Sequence, residues 1–335
     1  MTAQLNDMKI TIIGGGSWAT AIIKILSESN VHIKWWMRNS EDVEHIKRLH
    51  HNPHYLSSVE IHPSKVKPYT NLKEALRDTE WVVLAVPAAF LTDALRTINK
   101  THLQGKKVIS AIKGMIPATN QLVTDWIEET YEVPAESIGV IAGPCHAEEV
   151  ALEKHSYLTI ASPNLKLAND FADILRCRFV STSALGDLYG VEYAAVMKNI
   201  VALACGITHG LGGGDNFQAV MVANAMQEIS RVVQAINPMA RDLSASAYLG
   251  DLLVTSYSQF SRNRTFGNMI GRGYSVQAAQ LEMNMVAEGY YATKSIYEML
   301  QDYNLDIPIA EFAYKILYQQ APLRKEFEDL KARLK

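Results

Sequence analysis

Residues 8–27 read MKITIIGGGSWATAIIKILS, in which a short apolar run, a glycine turn and a helical pattern follow one another directly. The run predicts a strand over 8–14, and the apolar spacing predicts a helix over 17–27. Gly14, Gly16 and Ala19 match G-x-G-x-x-A, which allows a tight turn, close approach of a pyrophosphate and packing of the helix on the strand. The helix N-terminus would hold the anion. The stretch therefore predicts a dinucleotide site, with a purely structural turn as the alternative.

Six later apolar runs resemble the first and alternate with helical patterns, which is typical of parallel strands joined by crossover helices. From about residue 185 the pattern is helical and is interrupted by glycine-rich turns. We therefore predict an α/β protein, with a dinucleotide-binding parallel-sheet domain over 1–186 and an all-helical substrate and catalytic domain over 187–335. The six runs span residues 31–37, 81–86, 107–112, 137–143, 157–162 and 178–183.

The composition argues against several classes of partner. The chain has 335 residues, 48% of them hydrophobic, and a formal charge of −3, so it lacks the basic excess that nucleic acid or an anionic membrane would attract. Its N-terminus does not resemble a signal peptide, and its apolar stretches meet a charge before the ~20 residues that a membrane span needs. We expect a cytoplasmic protein without stable membrane insertion. Its three cysteines are too widely spaced for a zinc site, and we expect no metal.

The end of the second predicted strand bears on cofactor choice. In WMRNSED (36–42), Arg38 stands where arginine accommodates the 2′-phosphate of NADP and where an acidic residue accepts the ribose hydroxyl of NAD. Arg38 favours NADP. The nearby Glu41 and Asp42 keep NAD open, and a solvated strand end is the third interpretation.

A lysine interrupts an apolar helix at YAAVMKNIVALAC (193–205), where Lys198 and Asn199 are flanked by small and apolar residues. Burying an ammonium group costs roughly several kcal/mol unless the group is paired with an opposite charge or loses its proton. Asp251, set among leucines in LGDLLVTS (249–256), is a natural partner for Lys198. The alternative is that Asp251 caps a helix.

Two predicted strands end in residues suited to a ligand. Lys113 follows the strand in SAIKGM (110–115), at the sheet edge where open parallel sheets bind ligands. In AGPCHAEEV (142–150), Gly143-Pro144 begins a helix, and Cys145 with Glu148 has the spacing of a capping box. Ordinary capping and a role in binding both remain open for that stretch.

The helical half adds a basic group in FSRNRTFG (260–267), where Arg262, Asn263 and Arg264 lie beside a predicted helix end. Each polar residue singled out here is more often structural when taken alone. Together they supply cations, a carboxylate and amides, a set that suits a small phosphorylated substrate.

Seven motifs, in order along the chain, resemble those of the bacterial NAD(P)-dependent sn-glycerol-3-phosphate dehydrogenases. The resemblance implies a Rossmann domain, a helical C-terminal domain and reduction of dihydroxyacetone phosphate to sn-glycerol 3-phosphate for phospholipid synthesis. It implies NADP or NAD as cofactor and a small phosphorylated triose as substrate. A homodimer is a separate possibility that the sequence does not fix. The motifs are GGGSWATA (14–21), IKG (112–114), AGP (142–144), VMKNIVA (196–202), LGDL (249–252), SRNR (261–264) and EGY (288–290).

Residue roles follow from the same resemblance, motif by motif. Lys198 corresponds to the proton donor and acceptor, and Lys113 and Asp251 are assigned to the catalytic group with it. The implied substrate contacts are Lys113, Gly143, Cys145, Lys198, Asp251, Ser261, Arg262 and Asn263. The implied cofactor contacts are Gly14, Gly16, Ser17, Trp18, Arg38, Tyr55, Lys113, Ala147, Arg262, Val286 and Glu288.

The chain departs from the family pattern at three positions. Cys145 stands where threonine or serine is usual, His146 where phenylalanine is common and Asn224 where arginine is frequent. These departures affect the expected geometry of the substrate pocket and not the reaction class. Two other classes stay open at this stage: a β-hydroxyacid dehydrogenase similar to 6-phosphogluconate dehydrogenase, and a non-catalytic NAD(P)H sensor.

Overall fold

The computed structural model describes residues 8–283 and 287–335, which form two compact units. Of the described residues, the sheet unit contains 8–112 and 123–188, and the helical unit contains 113–122, 189–283 and 287–335. Lys113 therefore belongs to the helical unit, although the predicted boundary stands at 186/187.

An eight-stranded sheet in the order β10-β9-β8-β5-β4-β1-β2-β3 forms the sheet unit. β1 and β4 are buried at successive positions, so both faces of the sheet are covered there, as in doubly wound folds. The predicted parallel-sheet domain followed by helices is confirmed. The strands are β1 Lys9–Ile13, β2 His32–Trp36, β3 Val66–Tyr69, β4 Trp81–Leu84, β5 Lys107–Ser110, β6 Met115–Ile116, β7 Gln121–Leu122, β8 Ile138–Ala142, β9 Ser156–Ala161 and β10 Val180–Leu185; β6 and β7 pair as a separate hairpin.

Two features of the sheet differ from the prediction. β9 runs antiparallel to β8. Neighbouring antiparallel strands need no crossover connection, because the second strand starts at the edge of the sheet where the first one ends. β3 was not predicted, since Lys67 and Pro68 interrupt its apolar pattern. β3 lies at the edge of the sheet, where the missing N–H of a proline does not remove a hydrogen bond between two inner strands.

Helices pack on the sheet and enclose a large apolar core that includes Ile10, Ile12, Ile22 and Trp35, all of them fully buried. Burying each such side chain stabilises the fold by about 1.5–3 kcal/mol. The helices of this unit are α1 Ser17–Ser27, α2 Ser40–Leu49, α3 Leu72–Leu76, α4 Leu91–Leu95, α5 Lys100–Leu103, α6 Val123–Tyr131, α7 Ala147–Ala151 and α8 Leu165–Leu175, with short 3₁₀ turns at Ala88–Phe90 and Ala135–Ser137.

The helical unit is built around α9, whose residues from 190 to 208 are buried on all sides. Its length and apolar character would suit a membrane span, but in this protein the apolar window lies wholly inside the fold. The helices are α9 Leu188–Gly210, α10 Asp215–Ile236, α11 Asp251–Tyr257, α12 Arg262–Gly271, α13 Val276–Glu282, α14 Glu288–Met299, α15 Pro308–Gln319 and α16 Leu323–Arg333, with a π turn at Ser246–Gly250 and a 3₁₀ turn at Leu300–Tyr303.

Glycines bring α12 close to α9. A Cβ at Gly206 would overlap the carbonyl of Arg264, and one at Gly267 would overlap the carbonyl of Leu203. The two backbones can approach this closely only without side chains at these positions. The start of α12 is thereby held at a set position relative to α9.

Candidate active site

A buried ion pair lies at the centre of the helical unit. Lys198 is 4% exposed and donates from Nζ to Oδ1 of Asp251, which is 1% exposed. Nζ of Lys113 lies 3.1 Å from the second oxygen, Oδ2. The predicted pairing of Lys198 with Asp251 is confirmed, and the carboxylate is shared between two lysines.

The alternative role for Asp251 is not observed. α11 begins at Asp251, but its N-cap is Gly250, so Asp251 does not occupy the capping position. The helix follows a π turn, a feature that often accompanies functional sites. The carboxylate is therefore directed to the lysines and not to the helix terminus.

Burial and charge act against each other in this group. Burial lowers the pKa of Lys198 to about 7, although Asp251 opposes the shift and Lys113 adds to it. For Asp251, burial acts to raise the pKa, but the two lysines hold it below its usual 3.8. Lys198 can therefore gain or lose a proton near neutral pH.

Asn199, the neighbour of Lys198, has a structural task at the same place. Its Nδ2 donates to the backbone carbonyl of Lys113 at 2.8 Å, which fixes the segment that carries the second lysine. The sequence drew attention to Asn199 because it follows Lys198 directly in an apolar helix. Its hydrogen-bond partner, Lys113, is 86 positions away in the chain and could not be predicted from the local pattern.

Asn263, a predicted substrate contact, is oriented by α14. Its Oδ1 accepts from the backbone N–H of Gly289 at 2.9 Å. A Cβ at Gly289 would lie 2.6 Å from the Asn199 carbonyl and 2.9 Å from Oδ1 of Asn263, so the glycine of EGY is required by space. This bond fixes the orientation of the Asn263 amide, and its N–H₂ end is the donor that an anion can accept from.

The remaining predicted substrate residues of the helical unit are at the start of α12. Ser261 is its N-cap and accepts from Arg264 N at 3.3 Å, while Arg262 is the first helical residue. Anions are stabilised at such a terminus. Of the predicted cofactor contacts in this half of the chain, Glu288 is the first residue of α14, and Val286 lies outside the described residues.

The glycine turn of the sheet unit has the geometry that a dinucleotide needs. Gly14 has φ +133°, and a Cβ there would overlap the Ala85 carbonyl, whereas nothing lies within 4 Å of a Cβ built at Gly16. Gly16 is the N-cap of α1 and, as a glycine, has no side chain with which to cap the helix. The indole Nε1 of Trp18 is buried and has no acceptor among the described residues. A helix N-terminus whose N-cap residue is a glycine with open space beside it fits a phosphate, and Ser17 begins that helix.

Arg38 follows β2 and is exposed, as the cofactor prediction requires. Asp42, the acidic alternative, is engaged with its neighbours: its Oδ1 accepts from Asn39 Nδ2 at 3.3 Å and lies 3.1 Å from His54 Nε2. Tyr55 follows in the same loop and is partly buried.

The end of β8 corrects one prediction. α7 begins at Ala147 with His146 as N-cap, so Cys145 is not the cap and the capping box with Glu148 is wrong. The chain turns earlier, at Gly143, where φ is +108° and a Cβ would lie 2.7 Å from the Tyr157 carbonyl. Ala147 is buried in the apolar core, and Cys145 is half-buried against it.

Comparisons with known proteins agree with the two-part organisation. Residues 9–168 match the family model of the NAD-dependent glycerol-3-phosphate dehydrogenase N-terminus, and residues 187–328 match that of the C-terminus. A glycerol-3-phosphate dehydrogenase [NAD(P)+] of Bacillus pumilus is 33% identical over 98% of this chain and 95% of its own length. One from Clostridium botulinum is 34% identical over 98% of each chain.

Similarity extends to a solved structure. The crystal structure of glycerol-3-phosphate dehydrogenase from Coxiella burnetii superposes with a TM-score of 0.91 at 26% identity, covering 98% of this chain and 99% of that one. The resemblance noted from the seven motifs is confirmed. It displaces both the β-hydroxyacid dehydrogenase and the sensor interpretations.

Proposed function

Because the chain belongs to the NAD-dependent glycerol-3-phosphate dehydrogenase family, we propose that Lys198 is the proton donor and acceptor in the interconversion of dihydroxyacetone phosphate and sn-glycerol 3-phosphate. The observation that carries the proposal is the buried Lys198–Asp251–Lys113 group. When bound, NADPH or NADH would supply the hydride for reduction, and NADP⁺ or NAD⁺ would accept it in the reverse direction.

In the direction of reduction, Nζ of Lys198 donates a hydrogen bond to the substrate carbonyl oxygen and then gives it the proton as negative charge develops there. In the reverse direction the neutral amine takes the proton from the alcohol. Positioned acid-base groups of this kind are worth roughly 10²–10⁴-fold in rate. Asp251 holds the amine in place and favours its charged form, while Lys113 adds a second cation that stabilises the developing oxyanion.

The substrate phosphate is bound at the start of α12. Arg262 offers a fork of donors, Asn263 offers its amide N–H₂, and the helix N-terminus favours the negative charge. Gly143, Cys145 and Ser261 complete the proposed substrate set.

The glycine turn holds the cofactor diphosphate through the N-terminus of α1. Arg38 binds the 2′-phosphate when the cofactor is NADPH, and NADH is accepted as well. The proposed cofactor contacts are Gly14, Gly16, Ser17, Trp18, Arg38, Tyr55, Lys113, Ala147, Arg262, Val286 and Glu288.

A substrate comparison with Arg262→Ala tests the proposal. The wild type should oxidise NADPH or NADH with dihydroxyacetone phosphate, and the variant should lose most of its kcat/KM with that substrate. Its loss with unphosphorylated dihydroxyacetone should be much smaller. Equal losses with the two ketones would remove Arg262 from the phosphate site, and no turnover by the wild type would refute the proposed reaction.

In the cell, we propose that the enzyme acts in the cytoplasm as a homodimer and supplies glycerol 3-phosphate for phospholipid synthesis. Light scattering on the purified protein would test the dimer. Labelling of phospholipid glycerol after depletion of the enzyme would test the metabolic role, since an unchanged rate of labelling would contradict it.

A further inference from the structure

Asn52 is a buried polar residue to which neither the sequence motifs nor the proposed mechanism assigns a task. It lies in the loop after α2 and is 1% exposed. Its side chain uses both ends of the amide, which is what a buried carboxamide requires.

One end of Asn52 contacts the glycine turn. Nδ2 donates to the Gly15 carbonyl at 3.0 Å and to Thr20 Oγ1 at 2.9 Å. Thr20 Oγ1 in turn donates to the Gly16 carbonyl at 3.1 Å. Two consecutive carbonyls of the turn are therefore held through this one side chain.

The other end of Asn52 organises its own loop. Oδ1 accepts from the backbone N–H of His54 at 3.0 Å and of Tyr55 at 3.2 Å. The loop includes His54, whose ring contacts Asp42, and Tyr55, a proposed cofactor contact. Asn52 thus joins the glycine turn to the loop on which Tyr55 lies.

The bond to Gly15 has a directional consequence. A trans peptide is planar, so the carbonyl of Gly15 and the N–H of Gly16 point in opposite directions. Holding the carbonyl on Asn52 turns the Gly16 N–H away from it. Since a Cβ at Gly16 would meet nothing within 4 Å, a phosphate has room to approach the backbone there.

We propose that Asn52 is a positioning residue for the dinucleotide, which aims the Gly16 N–H at the diphosphate and sets the Tyr55 loop against the same cofactor. The inference rests on the proposed function, because it needs the glycine turn to be the cofactor site. Ordinary turn stabilisation is the competing explanation, and it makes a different prediction for cofactor affinity.

Asn164 provides a matched control in the same unit. Its Oδ1 accepts from Lys166 N and Leu167 N, and its Nδ2 donates to the Glu136 carbonyl, so it uses its amide as Asn52 does but at the start of α8. Asn52→Ala removes every side-chain bond, whereas Asn52→Asp keeps the two acceptor roles and removes the donations to Gly15 and to Thr20.

The measurement is the Kd of NADPH and of NADH, obtained by fluorescence titration without substrate, together with kcat and KM. Both Asn52 variants should raise the Kd of both cofactors about tenfold, the effect of losing roughly one well-made hydrogen bond. The kcat at saturating cofactor should stay within about twofold. Asn164→Ala should lower the melting temperature and leave both Kd values unchanged.

Thr20→Val serves if the Asn52 variants do not fold, since it removes the acceptor of one Asn52 bond and should raise both Kd values about threefold. A folded Asn52 variant with wild-type Kd values, or an unchanged Kd in Thr20→Val, would overturn the inference. A wild type that binds NADPH but does not reduce dihydroxyacetone phosphate would refute the proposed reaction alone.

Discussion

Two charged clusters in this protein use similar residues and differ in exposure. The buried cluster joins Lys198 and Lys113 to Asp251 in the helical unit. The surface cluster of the sheet unit joins Lys24 and Arg178 to Glu153, at 2.8 and 2.6 Å, with Glu28 adding a further carboxylate to Arg178. The side chain of Asp251 is 1% exposed, whereas those of Glu153 and Arg178 are 34% and 58% exposed.

Exposure changes what an ion pair does to its members. At the surface, the hydrogen bond from Arg178 and, to a smaller extent, the one from Lys24 lower the pKa of Glu153 to about 2. The same bond to Glu153 raises the pKa of Arg178. Both residues are thereby held in their charged forms. In the interior, burial lowers the pKa of Lys198 to about 7 despite its carboxylate partner. An ion pair in water keeps its charges, while the same pair away from water has a proton that can move.

The largest effect should separate the clusters by activity. Lys198→Ala removes the proton donor, so turnover of dihydroxyacetone phosphate should fall by about 10²–10⁴-fold. Lys24→Ala removes a cation from the surface cluster and should leave kcat unchanged. Steady-state assays at saturating NADPH measure both. Near-normal kcat in the Lys198 variant would show that the buried amine is not the acid.

A buried carboxylate that accepts from backbone N–H groups sharpens the comparison. Glu228 accepts from the backbone N–H groups of Ile309 and Ala310 at 2.8 and 3.0 Å, and burial raises its pKa to about 7 from 4.5. The folded state therefore holds its proton more tightly than the unfolded state does. Stability from this group is full below about pH 4.5 and is lost as pH rises through about 7, by up to roughly 3 kcal/mol.

Glu228→Gln should remove that pH dependence. Urea unfolding between pH 4.5 and 7 should give a free energy of unfolding that falls with pH in the wild type and is flatter in the variant. Lys198 does not interfere, because its lowered pKa acts in the window above about pH 7, where it makes stability rise with pH. Parallel curves for the two proteins would contradict the assignment.

The pH dependence of the rate tests the buried cluster directly. Reduction needs the ammonium form of Lys198 and should decline as pH rises through about 7, whereas oxidation of glycerol 3-phosphate needs the amine and should increase. Asp251 raises the pKa of Lys198, so Asp251→Asn should move the inflection of kcat/KM to lower pH. An inflection that stays in place would show that Asp251 does not tune the lysine.

The smallest effect is expected at the surface. Glu153→Gln should leave kcat/KM and its pH inflection unchanged and should lower the melting temperature only slightly, because exposed ion pairs contribute little and are screened by salt. The small loss should shrink further at high ionic strength. A large, salt-independent loss would mean that this cluster behaves as a buried one.

The local pattern of residues in the sequence predicted those strands, turns and helices that have a regular spacing of apolar residues or glycines. The glycine turn, seven strands of the sheet and the buried α9 were each visible in runs of apolar residues or in the spacing of glycines. β3 was missed because Lys67 and Pro68 break the pattern, and the antiparallel direction of β9 was missed because pairing depends on distant strands. Asn52 and Gly289 were missed as site residues for the same reason: their partners lie far along the chain.

The order of motifs was enough to assign the family, and the apolar pattern around Lys198 was enough to place a lysine in the interior. Neither could say how readily that lysine releases its proton. Its pKa depends on how completely water is excluded and on the approach of Asp251 and Lys113, which are 53 and 85 positions away in the chain. Desolvation and charge–charge energies depend on distance in space, so folding had to bring these groups together before the chemistry of Lys198 was set.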